Sequence, residues 1–564
     1  MTVISRGRNN NPNHFNFIKD VMDYWSQEGG DPIAMVWNPP GSTKPDEILQ
    51  LRFSHFSQRA RDVAAGLRSH GIQKGDVLLL LSSKTPAWYE IFCGAILAGV
   101  VICPCPSLLV SSEIELRARK ANASVLIGED KQVHEFLRLR DQQDNPTVHT
   151  VIRINNATDR EECSPGALSY ETLLKSTAHE HGTHTFDTES DDPCLMYFTS
   201  GTTGESKIVL HTHVSYPYAH TTTGKLWLNL CPSQLLWNMS EQGWAKATWA
   251  LFGAWSQGAA LFIDAYPGLF DPERVILNLS QHPITTFCAA PTIYRQLVSG
   301  ESKRVFAAHE PLALEHCVSA GESLAPHVIR EWYDMTDGLM IYDGFGQSET
   351  SILCGNYSTI QFRQGSMGKP FPGVPLYILN EKRQVAHPFE EGDIAIRVPK
   401  LTDPSTFLGL FKGYLQGDGS VVRPTVRDAE GQDWYLTGDR AHRDDEGYFW
   451  YKGRGDDIII SAGHRISPVD VESVLQAHPA ILESAVIATP DDDRGATIKA
   501  FVVLQEENTT LPAAQLKQAI REHFLQRSTV HNCPHQIEFV DRAFLPKTVS
   551  GKIMRKQLRL LEVQ

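Results

Sequence analysis

The chain has 564 residues, more than one hydrophobic core usually supports, so we expect at least two domains. Its 41% hydrophobic and 21% charged residues are typical of a globular protein rather than a disordered or fibrous one. The formal net charge of −14 argues against nucleic acid or an anionic membrane as the main partner.

The chain shows no targeting or membrane signal that we recognise. Its first fifteen residues lack the apolar segment of a secretory signal, and its last residues do not match the peroxisomal tripeptide. The most apolar stretch, Ala87 to Cys105, is interrupted by Glu90 and contains glycines and a proline, so it predicts a buried helix and strand rather than a membrane span. We therefore expect a cytoplasmic protein without a transmembrane segment.

The first part of the chain alternates strand-like and helix-like segments. Val77 to Leu81 is a continuous aliphatic run, which predicts a buried parallel strand. A helix is predicted after Pro86, and further strands at Val100 to Cys103 and Ala259 to Ile263. This alternation predicts an α/β fold with largely parallel sheets.

The run Tyr197 to Lys207, YFTSGTTGESK, combines hydroxyl side chains and glycines with a final lysine. Such a loop offers hydroxyls and accessible backbone N–H groups to phosphate oxygens, with a cation nearby. It differs from the common P-loop, because Glu205 and Ser206 separate the second glycine from Lys207. A polar surface loop is the alternative interpretation of this run.

Two further segments carry isolated carboxylates. Asp343 to Thr350, DGFGQSET, places Glu349 between two hydroxyls, and a carboxylate beside a phosphate loop is suited to Mg²⁺. Tyr435 to Asp439, YLTGD, presents an aspartate after a glycine, which suits a pair of ribose hydroxyls. By itself, this second pattern is equally typical of an ordinary turn.

The end of the chain has a different character. A helix is predicted at Pro468 to Ala477, strands at Ser484 to Ala488 and Ile498 to Leu504, and an amphipathic helix between Leu511 and Arg527. We expect an N-terminal domain of residues 1–455 and a small C-terminal domain of residues 456–564. Glycines and charges at 453–457 indicate a flexible joint or an ordinary exposed turn. Lys552 lies on a glycine-containing segment, PKTVSGK, near the C-terminus.

In this order, and across almost the whole chain, these segments resemble the adenylate-forming superfamily of acyl-CoA synthetases, peptide-synthetase adenylation domains and luciferases. Four phrases are similar to the medium-chain acyl-CoA synthetases: Phe15 to Trp25, Glu241 to Trp244, Ser319 to Ser323 and Gly344 to Thr350. The resemblance implies a large domain of packed mixed and parallel sheets with a small, mobile α+β domain. It also implies that a carboxylic acid reacts with ATP to give acyl-AMP and pyrophosphate, and that CoA then displaces AMP.

The resemblance also assigns roles to individual residues. The catalytic residues would be Lys552, Thr202, Lys207 and Glu349, with Glu349 as the Mg²⁺ ligand. The β- and γ-phosphates would contact Thr199, Ser200, Gly201, Thr202, Thr203, Gly204 and Lys207, with Ser348 or Thr350 nearby. The rest of the nucleotide and CoA would involve Gly321, Glu322, Ser323, Asp343, Gly344, Phe345, Gly346, Asp439, Arg454, Arg465 and Gly463. The small domain would rotate about Asp456, and the acid would contact Trp244, Gly346 and Gln347.

The family's acid pocket lies near the aromatic-rich stretch Leu235 to Trp255, which lacks the aspartates that bind an ammonium group. Core packing is the alternative for at least half of its aromatics. An apolar pocket favours an uncharged tail, such as a medium-chain fatty acid or an aryl acid. The main interpretation is an acid–CoA ligase; the alternatives are a stand-alone enzyme that loads a carrier protein, and a catalytically silent binding protein.

Overall fold

The computed structural model describes residues 14–42, 47–140, 147–154, 166–175, 187–200, 206–268, 270–398, 408–462, 464–491, 494–505, 511–547 and 553–563. Within these ranges the strands form two nine-stranded sheets and three smaller sheets. Helices pack on the large sheets, as the α/β prediction requires, and the α/β fold is confirmed.

The first large sheet, sheet A, holds the strands nearest the site described below. Across the sheet, its strands are Lys369–Pro370, Ile352–Gly355, Ile341–Gly346, His316–Ala320, Thr286–Ala289, Leu235–Asn238, Ala260–Asp264, Ile33–Asn38 and Leu49–Arg52. Neighbouring strands are parallel from Ile341–Gly346 to Ile33–Asn38, and antiparallel strands close both edges. The parallel centre therefore has all its carboxyl ends along one edge.

The second large sheet, sheet B, carries the strands on either side of the predicted phosphate loop. Its strands are, in spatial order, Val421–Val422, Gly413–Leu415, Ser206–Thr212, Pro193–Ser200, Val101–Cys105, Val77–Leu81, Val125–Glu129, Thr150–Ile154 and Leu168–Ser169. Neighbours are parallel from Pro193–Ser200 to Leu168–Ser169 and antiparallel on the other side.

Most helices lie in the first 335 residues. The α-helices are Asp23–Gln27, Phe53–Ser69, Pro86–Ala98, Ser111–Lys120, Asp130–Arg140, Tyr170–Lys175, His220–Leu226, Ala245–Ser256, Pro272–Gln281, Pro291–Leu297, Gly300–Ala308, Pro326–Met335, Pro468–Gln476, Ala513–Leu525 and Arg555–Val563. Short π-helical turns span Ile18–Met22 and Val214–Tyr218, and 3₁₀ turns span Val530–Asn532 and Arg542–Phe544. Within the described ranges, none of these helices has the length and apolar character needed to cross a membrane.

The strand Val77–Leu81 shows why the aliphatic runs predict this fold well. All five of its residues are buried. Leu78 and Leu80 join one core, whereas Leu79 and Leu81 join another on the opposite face, because successive side chains alternate across a sheet. The strands predicted at 100–103 and 259–263 lie at Val101–Cys105 and Ala260–Asp264, within one or two residues of their predicted ends.

A third, antiparallel sheet connects the large sheets to the end of the chain. Its strands are Leu376–Leu379, Gly392–Arg397, Asp433–Arg443, Val426–Arg427 and Phe449–Arg454. The pairing of Asp433–Arg443 with Phe449–Arg454 places Asp439 opposite Arg454. Two residues predicted to bind the ribose therefore meet through strand register.

The last 110 residues form their own hydrophobic cluster. A hairpin of Ile459–Ser461 and His464–Ile466 is followed by the helix Pro468–Gln476 and by a sheet of Ile481–Asp491, Gly495–Leu504 and Gln536–Phe539. The helix Ala513–Leu525 buries Leu516, Ile520 and Phe524, the three residues predicted for its apolar face. These side chains pack with Ile459, Val471 and the central strands of the sheet.

Candidate active site

A cleft with a volume of about 210 Å³ lies beside the carboxyl ends of two neighbouring strands of sheet A, His316–Ala320 and Ile341–Gly346. Loops that leave parallel strands at the same edge meet there, and such an edge commonly binds ligands. The residues on its lining that the sequence predicts to bind substrates are Gly321, Glu322, Ser323, Asp343, Gly344, Phe345, Gly346, Gln347, Asp439 and Arg454. The fold thus gathers residues from four separate segments of the chain.

Two glycines at this edge of the sheet pack closely against neighbouring side chains. Gly321 has a φ of +105°, and a Cβ there would lie 2.1 Å from the Nζ of Lys246, which donates to the carbonyl of Ala320 at 2.7 Å. A Cβ on Gly344 would lie 2.6 Å from the indole of Trp227. Any larger residue would displace a neighbouring side chain or strain the backbone.

Asp343 is a half-buried carboxyl on the cleft wall. The backbone N–H of Gly344 donates to its Oδ1 at 3.0 Å. Burial disfavours the charged form and raises the pKa of Asp343 to about 8, an effect that the backbone hydrogen bond only partly offsets. At neutral pH this side chain is therefore mainly a neutral carboxylic acid that can donate a hydrogen bond.

The carboxylate of Asp439 is held from three sides. Tyr451 donates its hydroxyl to Oδ1 at 3.0 Å, Gln347 donates its amide to Oδ2 at 2.5 Å, and the guanidinium of Arg454 lies 3.6 Å from Oδ2. Burial, and then the charge of Asp439, raise the pKa of Tyr451, so the phenol remains a donor. Only 4% of Asp439 is exposed, and that surface faces the cleft.

The side chains of Gln347 and Thr350, close to Glu349 in the chain, form hydrogen bonds within the protein. Gln347, expected near the acid, donates its amide to the Thr437 carbonyl at 2.9 Å as well as to Asp439. The hydroxyl of Thr350, expected near phosphate, accepts from the Gln347 N–H at 3.0 Å and donates to the Ser351 carbonyl at 2.8 Å. Both contacts fix the shape of the loop that carries Glu349.

Lys207 and Glu349 approach each other across one aromatic ring. Tyr414 lies on the strand Gly413–Leu415, which pairs with Ser206–Thr212. Its hydroxyl donates to Glu349 Oε1 at 2.8 Å, and the Nζ of Lys207 lies 4.9 Å from its ring centroid. Burial and the nearby carboxylate raise the pKa of Tyr414. A cation thus lies over the ring of Tyr414, and a carboxylate accepts from its hydroxyl.

His211 ties the same strand to the Glu349 loop. Its Nε2 donates to the Ser348 carbonyl at 2.7 Å, and its Nδ1 lies 2.9 Å from the hydroxyl of Ser215. Burial lowers the pKa of His211 to about 4, so the ring is neutral at physiological pH. No local pattern predicts this contact, because the two residues lie 137 positions apart in the chain.

The predicted phosphate loop lies at the end of the hairpin formed by Pro193–Ser200 and Ser206–Thr212. Thr199 pairs with Lys207 in this hairpin, and Ser200 pairs with Ser206. Gly201, Thr202, Thr203 and Gly204 lie outside the described residues, as does the side chain of Ser200. Lys207, which follows the loop, lies beside Tyr414, with its Nζ 4.9 Å from the ring centroid.

The aromatic stretch predicted to line the acid pocket is mostly core. Trp237, Trp249, Phe252 and Trp255 are all at least 97% buried, as the core-packing alternative requires. Trp244 differs from them, because it is half-buried and begins the helix Ala245–Ser256. It does not line the large cleft.

Residues of the predicted joint and small domain are divided between the cleft and the surface. Arg465 is exposed, does not line the cleft, and pairs with Glu381 at 2.7 Å. Asp456 is half exposed, and its carboxylate lies 3.4 Å from the Nε of Arg454. Gly463 and Lys552 lie outside the described residues, whereas Ile553, the next residue in the chain, lines the cleft.

The small domain contributes charged residues that the sequence analysis missed. Arg555 lines the cleft and bonds both oxygens of Glu472, at 2.7 and 2.6 Å. Asp457 lies 3.6 Å from Arg555 and 3.0 Å from Arg559. One available signal was the position of Arg555, which follows Lys552 closely and begins an amphipathic helix. Its partner Glu472, 83 residues away, carries no such signal.

Comparisons with known proteins cover almost the whole chain. The family model described as AMP-binding enzyme matches residues 23–415, and the one described as AMP-binding enzyme C-terminal domain matches residues 470–552. The chain is 37% identical to the acyl-coenzyme A synthetase ACSM5, mitochondrial, of Mus musculus over 99% of this chain and 92% of that protein. It is 36% identical to the acyl-coenzyme A synthetase ACSM3, mitochondrial, of the same organism, over 98% and 91%.

Solved structures have the same overall fold. The anthranilate CoA ligase AuaEII in complex with anthranoyl-AMP is 26% identical, covers 98% of both chains and has a TM-score of 0.81. An acyl-CoA synthetase of Brucella canis is 28% identical, covers 100% of this chain and 96% of its own, and has a TM-score of 0.72. Both matches therefore extend over the large N-terminal part and the small C-terminal part of this chain.

Proposed function

The chain belongs to the AMP-binding enzyme family as an AMP-forming acid–CoA ligase, and from that premise we propose that it activates a hydrophobic carboxylic acid. The acid attacks the α-phosphate of ATP, which releases pyrophosphate and leaves acyl-AMP. The thiol of CoA then attacks the acyl carbon and releases AMP. The observation that carries the assignment of residues is one cleft lined by both the large and the small domain.

We propose that Lys207 and Glu349, which both contact Tyr414, belong to the phosphate site, next to the part of the cleft lined by Gln347. Attack of a carboxylate on a polyanion needs fixed cations and donors where negative charge develops. Lys207 supplies a cation, and its strand begins where the predicted phosphate loop ends. The described contacts of Thr199 and Lys207 support this role, and Thr202, Thr203 and Lys552 share it in the proposal.

Glu349 is the proposed Mg²⁺ ligand. Mg²⁺ usually takes one or two carboxylates plus phosphate oxygens of the substrate, and when bound it neutralises charge on those oxygens. In the described part of the chain, no three His, Cys, Asp or Glu side chains gather as a metal site, so the proposed site depends on ATP for its other oxygens. Glu349 fits this role, since Tyr414 orients one carboxylate oxygen at 2.8 Å.

The opposite side of the cleft is the proposed nucleoside site. Asp439 accepts hydrogen bonds from its neighbours through oxygens that ribose hydroxyls could share, and Arg454 lies beside it. We propose that adenine lies between the segment 321–323 and the segment 343–346, because both segments line the cleft. The protonated carboxyl of Asp343 adds a donor to that wall.

We propose that the small domain is oriented here for the first step. Ile553 and Arg555, which closely follow the predicted catalytic Lys552 in the sequence, line the cleft, and this supports the proposal. Arg465, by contrast, pairs with Glu381 outside the cleft. A rotation about Asp456 would exchange these two segments and bring the region of Gly463 toward the acyl-AMP for the second step.

The acid is proposed to be uncharged beyond its carboxylate. The stretch between Leu235 and Trp255 contains no aspartate, and the half-buried Trp244 is its aromatic side chain that is not part of the core. Discrimination by apolar pockets is worth only about 1–3 kcal/mol per methylene, so we propose a class, medium-chain fatty or aryl acids, rather than one compound. The cytosol remains our proposed compartment, although the similar mouse proteins are named as mitochondrial.

A screen for pyrophosphate release tests this proposal. The protein is incubated with ATP, Mg²⁺ and CoA, and with fatty acids of graded length, aryl acids, amino acids or dicarboxylic acids. We expect release with hydrophobic monocarboxylic acids and a CoA thioester as the product. A response only to amino or dicarboxylic acids would contradict the proposed acid. Adenylation that yields a thioester only with a phosphopantetheinyl carrier protein would favour the carrier-loading alternative.

The proposed role of Glu349 has its own test. Replacing Tyr414 with Phe removes the hydrogen bond that orients the carboxylate and keeps the ring beside Lys207. We expect the Mg²⁺ concentration for half-maximal pyrophosphate release to rise severalfold. An unchanged Mg²⁺ dependence in Tyr414→Phe would contradict the orientation proposed for Glu349.

A further inference from the structure

One arginine of the large domain contacts the small domain at the cleft. Arg295 lies on the helix Pro291–Leu297, and its side chain is only 16% exposed. Its Nη2 lies 3.5 Å from Glu322, and its Nη1 lies 3.6 Å from Oε1 of Glu483. Glu322 and Arg295 fall within the family model of the large domain, and Glu483 falls within that of the C-terminal domain. This ion pair therefore joins the two parts of the chain.

Glu483 is a buried carboxylate with its two oxygens facing in different directions. Its side chain is 5% exposed. Oε2 accepts from the Nζ of Lys547 at 2.6 Å. Oε1 has no hydrogen-bond partner among the residues that the structure describes, and its nearby cation is Arg295. A buried carboxylate needs cationic partners, and only Lys547 belongs to the same domain.

Lys547 lies at the base of the segment that carries the predicted catalytic lysine. Lys547 and Ile553 form an antiparallel bridge, and the N–H of Met554 donates to the Pro546 carbonyl at 2.8 Å. Residues 548–552 lie between these paired residues and outside the described ranges. Ile553, which pairs with Lys547 in this bridge, also lines the cleft.

We propose that Arg295 and Glu483 are positioning residues that hold the small domain in the orientation for acyl-AMP formation. The chain of contacts runs from Glu322, which faces the proposed adenine site, through Arg295 and Glu483 to Lys547 at the base of the Lys552 segment. Rotation of the small domain for the second step separates Glu483 from Arg295. The Arg295–Glu483 pair thus stabilises only the orientation for acyl-AMP formation. This inference rests on the proposed two-step function.

The two half-reactions measured separately test this proposal. Arg295→Gln removes the charge but keeps a polar side chain of similar length. We expect acid-dependent pyrophosphate release to fall about tenfold, as for a typical coupling between two states. Conversion of externally supplied acyl-AMP and CoA to thioester should stay within about twofold of wild type, because that step uses the other orientation. Arg295→Lys should restore part of the first half-reaction.

A double-variant cycle distinguishes the ion pair from a direct effect on the nucleotide. If Arg295 acts through Glu483, Glu483→Gln and Arg295→Gln combined should be little worse than either alone. Arg304→Gln is the matched control, because Arg304 pairs with Glu301 on the next helix with both side chains at least 70% exposed. This control should leave both half-reactions unchanged.

Three results would overturn the inference. Equal losses in both half-reactions would indicate general damage to the fold, and additive losses would show that the two residues act independently. A rise in the KM for ATP alone, with unchanged kcat, would place Arg295 in nucleotide binding through Glu322. A wild-type protein without acid-dependent pyrophosphate release would instead contradict the proposed function itself.

Discussion

Arg555→Met leaves a buried carboxylate without its cation, and the expected cost follows from the structure. Arg555 and Glu472 have side chains 12% and 10% exposed and share two bonds of 2.7 and 2.6 Å. Removing one partner of a buried ion pair typically costs about 3–5 kcal/mol. Glu472 then keeps one described donor, the N–H of Val486 at 2.7 Å. We expect the small domain to lose that amount of stability.

The loss should also depend on pH with a defined sign. Burial raises the pKa of Glu472, and Arg555 is the main influence that lowers it. Without the guanidinium, the folded-state pKa lies further above the unfolded value. Stability linked to such a group is fully present below the unfolded pKa and is lost as pH rises through the folded pKa. The penalty of Arg555→Met should therefore be smaller at pH 5 than at pH 8.

Hydrogen exchange measured by mass spectrometry provides the assay, because it reports the stability of the small domain separately. Amides of the helix Pro468–Gln476 should exchange about 10²-fold faster in Arg555→Met at pH 8. Adding Glu472→Gln should restore most of the protection, since no charge stays buried. Arg559→Met is the control, because the side chain of Arg559 is 33% exposed and pairs with Asp457 rather than with Glu472. Exchange within twofold of wild type in Arg555→Met would refute the reasoning.

Three further predictions concern the two half-reactions and pH. Lys552→Ala should lose acid-dependent pyrophosphate release while still converting supplied acyl-AMP to thioester; an unimpaired first half-reaction would refute its role. Gly463→Leu should spare adenylation and block thioester formation, whereas equal loss of both steps would indicate misfolding. Since the pKa of Asp343 is raised to about 8, its contribution to stability is present below about pH 4 and falls by about 1.4 kcal/mol per unit up to about pH 8. Asp343→Asn does not titrate, so the Tm of this variant minus that of wild type should grow from pH 5 to pH 8; a constant difference would contradict the raised pKa.

The sequence predicts local features of this molecule well. Continuous aliphatic runs such as Val77–Leu81 favour buried strands, because a run of about five residues bounded by polar residues has the length of a strand rather than of a helix. The amphipathic helix Ala513–Leu525 follows equally from its spacing. The motif residues after Asp343 lie at the carboxyl end of the strand Ile341–Gly346, whereas Asp439 lies within the strand Asp433–Arg443, and both line one cleft.

Long-range partners could not be predicted from the sequence. Gln347 bonds Asp439 across 92 residues, and Arg555 bonds Glu472 across 83. Such pairs depend on how separate sheets and domains pack, which no local period encodes. Arg295 was missed for the same reason, since its role depends on the orientation of the small domain relative to the large one. The sequence also misleads in the opposite direction. The aromatic residues around Trp249 suggest a substrate pocket, but they are buried in the hydrophobic core.

Direct detection of acyl-AMP tests the central claim most directly. The protein is mixed with ATP, Mg²⁺ and a hydrophobic acid in the absence of CoA, and the bound products are identified by mass spectrometry before and after CoA is added. We expect acyl-AMP and pyrophosphate first, followed by conversion of the acyl-AMP to acyl-CoA and AMP. Thioester formation accompanied by ADP and phosphate, with no acyl-AMP at any time, would contradict the account.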